Sequence, residues 1–494
     1  MPRTNRRRFL TAASGTVSGI VLANCATTKR IGKRVKAEQE GTGRLEAPGE
    51  MVDVPAKRIP IIAEADVVVV GGGTSGFIAA TAAARTGAKT ILVERFGYLG
   101  GCTTAPYNTM TGFFSDSNGH LIIRGLPFEF LERMKRDGQC LLNSSNGGNQ
   151  LWPVWTRKVA IDMVSEAGVD LFLHTWTSDV LKDHDVVKGI IVETKGGRAV
   201  IRGKTFVDAS GDADVAALAG APFEMTNVDD LQQVSCDYLA CGVNAGRVVE
   251  WARANRDKLT YQFGLDEEHK PSGVQPMLML TIPNSETRGG WTPTVKLCIY
   301  REAVRIQGNV EVNPLDPKGL TYAEVEGLRG ALAHLKYLQQ TIPGFEDAFV
   351  AAPSHLGVRE TRRITGDYVI TIDDINGQAR FKDVVALNCR ALDYHLKGTV
   401  FKLEWVKGHH DVPLRALLPQ GTANVLVVGR SISCDHLAQA SLRGAGTCMA
   451  TGHAGGTTAA LAAKANGRIR ELDTDLIHKT LLAQGAILKA GETA

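Results

Sequence analysis

The chain has 494 residues, of which 44% are hydrophobic, 22% are charged and 6% are aromatic. This balance is typical of a soluble globular protein of roughly two to four domains, and it excludes collagen-like and low-complexity chains. Nine of the 56 Lys and Arg residues lie within residues 1–36, which contain no Asp or Glu, so the remainder has 47 basic and 52 acidic residues. A slightly acidic body is not expected to bind nucleic acid. The nine cysteines include no CxxC pair and no Cys/His cluster at zinc spacing, so no metal site is expected.

Residues 1–26 have the order of a signal peptide. Three arginines at positions 6–8 precede a Phe-Leu pair and a weakly apolar stretch. Paired arginines in this setting are typical of a bacterial twin-arginine signal, so we expect the twin-arginine translocase to export the protein to the periplasm. An ordinary basic tail is the alternative. Cys25 resembles a lipid-anchor site, although Asn24 stands where Gly or Ala is expected. Residues 27–62 are predicted to be a linker.

The folded part opens with all the elements of a dinucleotide-binding βαβ unit. The β-branched run of residues 65–70 predicts a strand buried on both faces, and the sequence GGGTSG follows at 71–76. An Ala-rich helix is predicted over 77–85, and a second strand over 90–93 ends at Glu94. Such a turn presents backbone N–H groups and a helix N-terminus to a pyrophosphate. The unit therefore predicts a dinucleotide site.

Five positions of this unit are predicted to serve the cofactor. Gly71 permits the tight turn, Gly73 lets the backbone approach the pyrophosphate, and Gly76 lets the helix pack closely on the strand. Ser75 belongs to the same turn. Glu94 lies 18 residues beyond Gly76, where a carboxylate accepts hydrogen bonds from the adenosine ribose.

Further glycine-rich turns occur just after Glu94, in the middle and near the end of the chain. They lie at residues 97–103, 202–212, 424–430 and 452–461. Only a long cofactor can touch turns from the beginning, the middle and the end of one chain, so we expect FAD. The complete GxGxxG pattern occurs once, so no second domain for a nicotinamide is predicted. Electrons are therefore expected to pass to a quinone, a cytochrome or dioxygen.

These segments resemble FAD-dependent oxidoreductases of the glutathione-reductase-like two-dinucleotide-binding superfamily, and more closely the bacterial FAD-dependent oxidoreductase family. The matching segments are 67–101, 207–223, 356–367 and 412–462, and the resemblance spans residues 63–465. It implies an α/β fold with a Rossmann-like FAD-binding domain, whose parallel sheet carries a β-meander, and with a mixed α+β substrate domain.

The resemblance also implies cofactor-binding residues outside the fingerprint, namely Gly101, Cys102, Val180, Gly211, Gly429 and Gly452. Gly211 would lie in the central FAD-contacting turn, and Gly429 would meet the ribityl-pyrophosphate region. A helix that opens near Gly452 would point its N-terminus at the flavin ring. Val180, in a strand over residues 171–180, would offer backbone contacts to the adenine. For Cys102, a packed small residue is the alternative.

The predicted FAD-binding domain is discontinuous, and the segments between its parts are assigned to a substrate or cap domain. The predicted boundaries are 63–105, 156–225 and 413–465 for the FAD-binding domain, 106–155 and 226–412 for the substrate domain, and 466–494 for a C-terminal helical tail. Within the substrate domain an amphipathic helix is predicted over residues 322–340.

Three candidate catalytic residues lie in the predicted substrate domain. His395 matches a histidine position that the resemblance implies, and it would take the proton as hydride leaves the substrate. Arg359 and Arg362 are three residues apart, so on a helix or tight turn they would share a face and hold a carboxylate or stabilise an enolate. An internal salt bridge with Glu360 or Asp367 is the alternative for both arginines. His436 and Arg443 are weaker candidates.

The expected function is that of an exported FAD-dependent dehydrogenase, which removes a hydride from a small, polar organic substrate such as a hydroxy acid or a sugar. One alternative is a reductase of an activated C=C bond, as in fumarate-reductase-like flavoproteins. A second alternative is a non-catalytic FAD subunit that transfers electrons.

Overall fold

The computed structural model describes residues 52–108, 110–136, 140–143, 148–259, 261–263, 265, 279–281, 292–300, 303–395 and 402–491. These residues all belong to one compact unit. The predicted signal peptide, Cys25 and most of the predicted linker lie outside the described residues.

In chain order the described helices are α1 (Thr74–Arg85), α2 (Leu126–Arg136), α3 (Pro153–Glu166), α4 (Asp214–Leu218), α5 (Ala245–Ala254), α6 (Pro317–Thr341), α7 (Ile372–Asn376), α8 (His436–Leu442), α9 (Ala445–Lys464) and α10 (Thr474–Ala483).

In chain order the described strands are β1 (Ile61–Val70), β2 (Thr90–Val93), β3 (Met110–Phe113), β4 (Cys140–Asn143), β5 (Gly148–Leu151), β6 (Asp170–Phe172), β7 (Trp176–Asp183), β8 (Val186–Thr194), β9 (Gly197–Asp208), β10 (Phe223–Glu224), β11 (Val234–Ser235), β12 (Tyr238–Cys241), β13 (Tyr261–Phe263), β14 (Met279–Thr281), β15 (Thr292–Tyr300), β16 (Ala303–Val310), β17 (Phe349–Pro353), β18 (Arg363–Ile364), β19 (Val384–Asn388), β20 (Leu392–Tyr394), β21 (Lys402–Glu404), β22 (His410–Pro413) and β23 (Val425–Val427).

A seven-stranded sheet carries the predicted βαβ unit. Its strand order is β6-β2-β1-β9-β8-β7, and β23 also pairs with β9. Strands β6, β2, β1, β9 and β23 are parallel, whereas β7, β8 and β9 form an antiparallel meander. Val70 pairs with Val93 of β2 and with Asp208 of β9, so three parallel strands end at the same edge. The predicted α/β fold, with its parallel sheet and β-meander, is confirmed.

The valine run of β1 is buried because both faces of the sheet are covered. Val67 and Val69 pack in the largest core cluster, which also contains the apolar residues of α1 and α9. Val68 and Val70 pack on the opposite face with residues of the meander. A strand covered on both faces needs apolar side chains at every position, which explains why the run does not alternate with polar residues.

A second, antiparallel sheet lies in the segment predicted to face the substrate. Its order is β11-β16-β12-β17, with β15 also paired to β16. Helix α6 contains the predicted amphipathic helix and packs on this sheet. The Asp316 side chain caps its first turn by accepting hydrogen bonds from the backbone N–H groups of Lys318 and Gly319. Tyr238, Ile306 and other buried residues form a separate core between the helix and the sheet.

The largest core contains residues from several of the predicted segments. Phe130 of α2 and Leu387 of β19, both assigned to the substrate domain, lie in the largest core with α1. Ile477 and Leu481 of α10, within the predicted C-terminal helical tail, lie in the same core. These two side chains are four positions apart on one helix face, which lets α10 pack on α9.

None of the helices in the described part of the chain combines the length and the hydropathy needed to cross a membrane.

Candidate active site and cofactor cavity

A cavity of about 490 Å³ extends from the turn after β1 to residues that follow the second sheet. Its wall contains most of the residues predicted to bind the cofactor, namely Gly71, Gly73, Ser75, Glu94, Gly101, Cys102, Gly211 and Gly429. It also contains two of the three candidate catalytic residues, Arg359 and His395. The fold therefore brings turns from the beginning, the middle and the end of the chain to one cavity.

Gly71 and Gly73 shape the turn between β1 and α1 in different ways. Gly71 has a φ of +97°, and a Cβ there would clash with the backbone at Ala209. At Gly73, by contrast, the nearest heavy atom to an added Cβ would be Gly101 Cα at 4.0 Å. Because Gly73 lines the cavity, a side chain there would occupy the cavity itself. This bare backbone cradle at the start of α1 fits the pyrophosphate of a dinucleotide.

Glu94 is fixed by the backbone of the same turn. Its Oε2 accepts a hydrogen bond from the Gly72 N–H at 2.7 Å, and its Oε1 accepts one from the Phe96 N–H at 2.8 Å. Burial raises the pKa of Glu94, and the hydrogen bonds from Phe96 and Gly72 oppose this rise. The carboxylate thus lies at the cavity wall in one orientation, as an acceptor for ribose hydroxyls requires.

A group of flat side chains, which sequence reasoning missed, lines the cavity beside Glu94. Phe96 and Tyr98 are stacked with their ring centroids 5.2 Å apart, and the His355 ring meets both edge-on. The Arg95 guanidinium lies 4.9 Å from the Phe96 ring centroid and 5.1 Å from that of Trp176. Flat apolar and cationic surfaces of this kind pack well on a planar ring.

Arg430 joins three segments of the cavity wall. Its Nε donates to the carbonyl oxygen of Gly211 at 2.6 Å, and its Nη1 donates to the carbonyl oxygen of Val358 at 2.5 Å. Its Nη2 pairs with Asp212 Oδ1 at 2.5 Å, and Thr361 also donates to this oxygen. Burial alone would raise the pKa of Asp212, but the charges of Arg430 and Arg95 together with hydrogen bonds from Thr361 and Arg430 lower it.

Three predicted cofactor residues lie outside the lining of the cavity. Gly76 packs α1 on β1, as expected, because a Cβ there would overlap the carbonyl oxygen of Gly71. The prediction that a helix opens near Gly452 is wrong: α9 begins at Ala445, and Gly452 lies inside it. A Cβ on Gly452 would overlap the carbonyl oxygen of Ser75, so this glycine lets α9 pack closely on α1.

Val180 is not part of the cavity wall either. The strand predicted over residues 171–180 is two strands, because β6 ends at Phe172 and β7 begins at Trp176. Trp176 lines the cavity, whereas Val180 packs against the core of the meander. In this region the cavity is therefore lined by Trp176, the first residue of β7.

His395 lies on the cavity wall and is 1% exposed. Its Nε2 is 3.0 Å from Asp393 Oδ1, and Arg390 Nη2 donates to Asp393 Oδ2 at 2.8 Å. Arg443 Nη2 donates to the Asp393 carbonyl oxygen at 2.5 Å. Burial would raise the pKa of Asp393, but His395, Arg390 and Arg443 together hold it well below its usual range. The histidine is therefore held by an ionised carboxylate.

Arg359 and Arg362 do not act as a pair. Arg359 lines the cavity, and its Nη1 donates to the carbonyl oxygen of Gln233. Arg362 is not among the residues that line the cavity, and its Nη1 donates to the Asp212 carbonyl oxygen and to Asp214 Oδ1, each at 3.0 Å. The segment is neither a helix nor a tight turn, so the condition for the predicted shared face is not met. Arg362 forms an internal salt bridge, although with Asp214 rather than with Glu360 or Asp367.

The two weaker candidates also separate. Arg443 lines the cavity, whereas His436 is not among its lining residues. His436 Nδ1 lies 2.8 Å from Oε1 of the buried Glu360, which also pairs with Arg363 at 2.6 Å. His436 therefore belongs to a buried ion-pair network.

The model of one protein family matches residues 66–481, and that family is described as FAD dependent oxidoreductase. The match covers most of the chain, including every strand of the parallel sheet except the first residues of β1. The chain belongs to the FAD-dependent oxidoreductase family. FAD is therefore its cofactor, and the protein is an FAD-dependent oxidoreductase enzyme. No curated protein matches the sequence.

Solved structures resemble this family member only distantly. A geranylgeranyl bacteriochlorophyll reductase-like protein from Thermoplasma acidophilum is 14% identical with a TM-score of 0.43, and the alignment covers 86% of this chain and 84% of the other. A flavoprotein/dehydrogenase from Cytophaga hutchinsonii is 16% identical with a TM-score of 0.41, covering 85% and 82%. Scores of this size support no conclusion about the reaction or the substrate.

The cavity residues fit the FAD that the family requires. The cradle at Gly73 would hold the pyrophosphate, Glu94 would hold the ribose, and the flat side chains around Phe96 would contact the adenine. Gly211 and Gly429, from the middle and the end of the chain, also line the cavity.

Sequence reasoning missed several charged residues of the cavity. Asp393 could have been predicted from the sequence, because it precedes His395 by two residues in a strand-like segment and such residues share a face. Arg305 and Arg390 could not have been predicted in this way, because only the paired strands and the loops of the folded chain bring them to the cavity.

Proposed function

We propose that this FAD-dependent oxidoreductase is a dehydrogenase that removes a hydride from a C–H bond of a small, polar organic substrate. The observation that carries the proposal is the buried His395–Asp393 pair on the wall of the cavity that contains the fingerprint turn. A histidine that is oriented by a carboxylate is well suited to take a proton from an alcohol as its carbon loses hydride.

The chain's own residues supply the base and its surroundings, whereas bound FAD supplies the two-electron acceptor. The imidazole of His395 takes the substrate proton and becomes charged. Asp393 stabilises that charge at a distance of 3.0 Å, and it is ionised because its pKa lies well below its usual range. The burial of both residues keeps water away and strengthens their interaction.

Replacement of His395 by Ala tests this assignment. His395 lies outside the fingerprint turn, so the purified variant should retain FAD and its visible spectrum. Under anaerobic conditions, its flavin should be bleached by an oxidisable substrate roughly 10²–10⁴ times more slowly than in the parent. Asp393→Asn should lower the same rate, because a neutral amide stabilises the imidazolium less.

A second histidine–aspartate pair provides a matched control. His120 Nδ1 lies 3.4 Å from Asp116 Oδ2, and neither residue lines the cavity. His120→Ala should therefore leave the rate of flavin bleaching unchanged. An unaltered rate in a folded, yellow His395→Ala protein would contradict the role of His395 as the base.

The direction of the reaction is part of the proposal. The arginines on the cavity wall would also suit reduction of an activated C=C bond, since they could stabilise an enolate. Anaerobic protein bleached by reduced viologen and then recoloured by an unsaturated acid would favour that reductase. Bleaching by hydroxy acids or sugars supports the dehydrogenase, and inertness to both favours an electron-transfer subunit.

We further propose that a twin-arginine signal exports the enzyme and that its electrons go to a quinone, a cytochrome or dioxygen. The arginines at positions 6–8 and the apolar stretch after them support export, and the single GxGxxG pattern supports an acceptor other than a nicotinamide. Replacement of all three arginines by Lys should retain precursor in the cytoplasm. Unchanged delivery to the envelope fraction would exclude this route.

A further inference from the structure

Four arginines line the cavity near His395, and we call them the arginine cluster: Arg305, Arg359, Arg390 and Arg443. Arg359 is 7% exposed, and the side chains of Arg305 and Arg443 are 7% and 10% exposed. Arginine is seldom buried unless an anion accompanies it, because removal of its charge from water is costly.

Among the described residues, two carboxylates form ion pairs with members of this cluster. Arg305 pairs with Asp237, with its Nε at 2.7 Å and its Nη2 at 2.5 Å from Oδ2. Asp393 accepts from Arg390 at 2.8 Å, and Arg443 lies 3.8 Å from the same oxygen. Because Arg390 and Arg443 share one of these carboxylates, the guanidinium groups of the cluster outnumber the carboxylates that pair with them.

Arg359 has no ion-pair partner among the described residues. Its Nη1 donates to the carbonyl oxygen of Gln233, and Gln439 Nε2 donates to its backbone carbonyl oxygen at 3.0 Å. These contacts hold the residue in place without neutralising its charge. Burial lowers the pKa of Arg359 to about 9, and the charge of Arg443 adds to that effect, so the guanidinium is still charged at neutral pH.

Arg443 offers a donor that the described protein leaves unused. Its Nη2 donates to Gln232 Oε1 at 3.0 Å and to the Asp393 carbonyl oxygen at 2.5 Å. Its Nε is buried and has no hydrogen-bond partner among the described residues. An unsatisfied buried donor on a cavity wall points to a group on the ligand.

We propose that the substrate is an organic carboxylate and that Arg359 and Arg443 bind its carboxylate group. This inference rests on the proposed function, since it places the oxidisable carbon of the same molecule near His395. A guanidinium presents its N–H groups in a planar fork that matches a carboxylate, and the ligand charge would offset the excess positive charge of the cluster. A neutral sugar would leave that excess in place.

Ligand binding to the holoprotein tests the proposal without turnover. The probes are malonate, its neutral counterpart malonamide, and inorganic phosphate, and the readouts are the flavin difference spectrum and the thermal melt. Malonate should perturb the spectrum and raise the melting temperature, because a ligand that binds only the folded state stabilises it. Malonamide should do neither at equal concentration.

Variants assign the effect to the cluster. Arg359→Met should weaken malonate binding about 10- to 100-fold, the usual contribution of hydrogen bonds to a charged group. Arg359→Lys keeps the charge but loses the fork, so it should weaken binding less. Arg329 pairs with Glu326 on the surface and does not line the cavity, so Arg329→Met is the matched control and should bind malonate as the parent does.

The outcomes separate this proposal from the dehydrogenase assignment. Equal effects of malonate and malonamide, or unchanged binding in both Arg359 variants, would overturn the carboxylate site. Tighter binding of phosphate than of malonate would overturn the choice of carboxylate. If malonate binds through Arg359 but no hydroxy acid bleaches the flavin, the carboxylate site stands and the dehydrogenase proposal fails. If Arg359→Met does not fold, Arg359→Lys and Arg443→Lys give the same comparison.

Discussion

Gly73 and Gly76 are three residues apart in one turn, yet the lack of a side chain serves the cofactor at the first and the fold at the second. An added Cβ at Gly73 would meet nothing closer than Gly101 Cα at 4.0 Å, whereas at Gly76 it would overlap the Gly71 carbonyl oxygen. The same residue type therefore has two physical roles, which substitutions can separate.

We expect Gly73→Val to yield a folded protein that has lost its FAD. The protein around this position has room for the side chain, but the valine methyl groups would fill the cradle at the start of α1. The measurements are the ratio of flavin to protein absorbance after purification and the far-UV circular dichroism spectrum. Gly76→Ala is the comparison, and it should lower the yield of folded protein itself. A yellow Gly73→Val protein at full occupancy would contradict the location of the cradle.

At the residue scale, sequence patterns predicted those site residues that lie close together in the chain. The fingerprint glycines and Glu94 follow from spacing within one βαβ unit, and the cavity contains four of these five positions. The pairing of Arg359 with Arg362 failed because it assumed a helix or turn where the chain forms neither. Arg305 and Arg443 are far apart in sequence, so no local sequence pattern could predict that both line the same cavity.

At the scale of elements, the contact between α1 and α9 holds the cofactor turn in place. Added Cβ atoms at Gly452 and Gly456 would overlap the carbonyl oxygens of Ser75 and Ala79, respectively. Both pairs are four residues apart, so a glycine face of α9 lies directly on the backbone of α1. The glycine-rich sequence that predicted a helix start thus marks a close helix–helix contact, since small residues serve both purposes.

Gly456→Ala should destabilise the protein by about 2 kcal/mol or more, because the added methyl group must push two helix backbones apart. The measurement is the thermal melt at saturating FAD. Gly246→Ala in α5 provides the matched control: its Cβ would meet only Asn244 Oδ1 at 3.5 Å, and alanine favours a helix more than glycine does. The control should be neutral or slightly stabilising. Equal melting temperatures for both variants would contradict the close contact.

At the scale of the whole molecule, one large core unites segments that the sequence assigned to different domains. Strands β1, β2 and β23 of the parallel sheet could be predicted from their apolar runs, whereas the β-meander was implied only by the family resemblance. The incorporation of α2, β19 and α10 into the same core could not, since an apolar face does not reveal which surface it will cover. The core also buries His410 and His453. Such histidines make the stability of the entire fold depend on pH.

Burial lowers the pKa of His410 and of His453 to about 4 in each case. In an unfolded chain a histidine has a pKa of about 6.5. Between these values the unfolded chain binds protons that the folded chain does not, so the free energy of unfolding falls as the pH falls from about 6.5 to about 4. Above this window both states are neutral, and the contribution of these histidines to stability is fully present.

His453→Gln should make the protein less sensitive to acid. Glutamine does not titrate, and it can keep the hydrogen bond that His453 Nε2 donates to Gln484 Oε1 at 2.8 Å. The loss of unfolding free energy between pH 7 and pH 5 should be smaller than in the parent by about 2 kcal/mol. Denaturant unfolding at the two pH values, with saturating FAD, measures this difference. The His184 side chain is 94% exposed, so His184→Gln should lose as much stability as the parent. If His453→Gln and His184→Gln lose the same unfolding free energy between pH 7 and pH 5, then burial in the core does not keep His453 neutral.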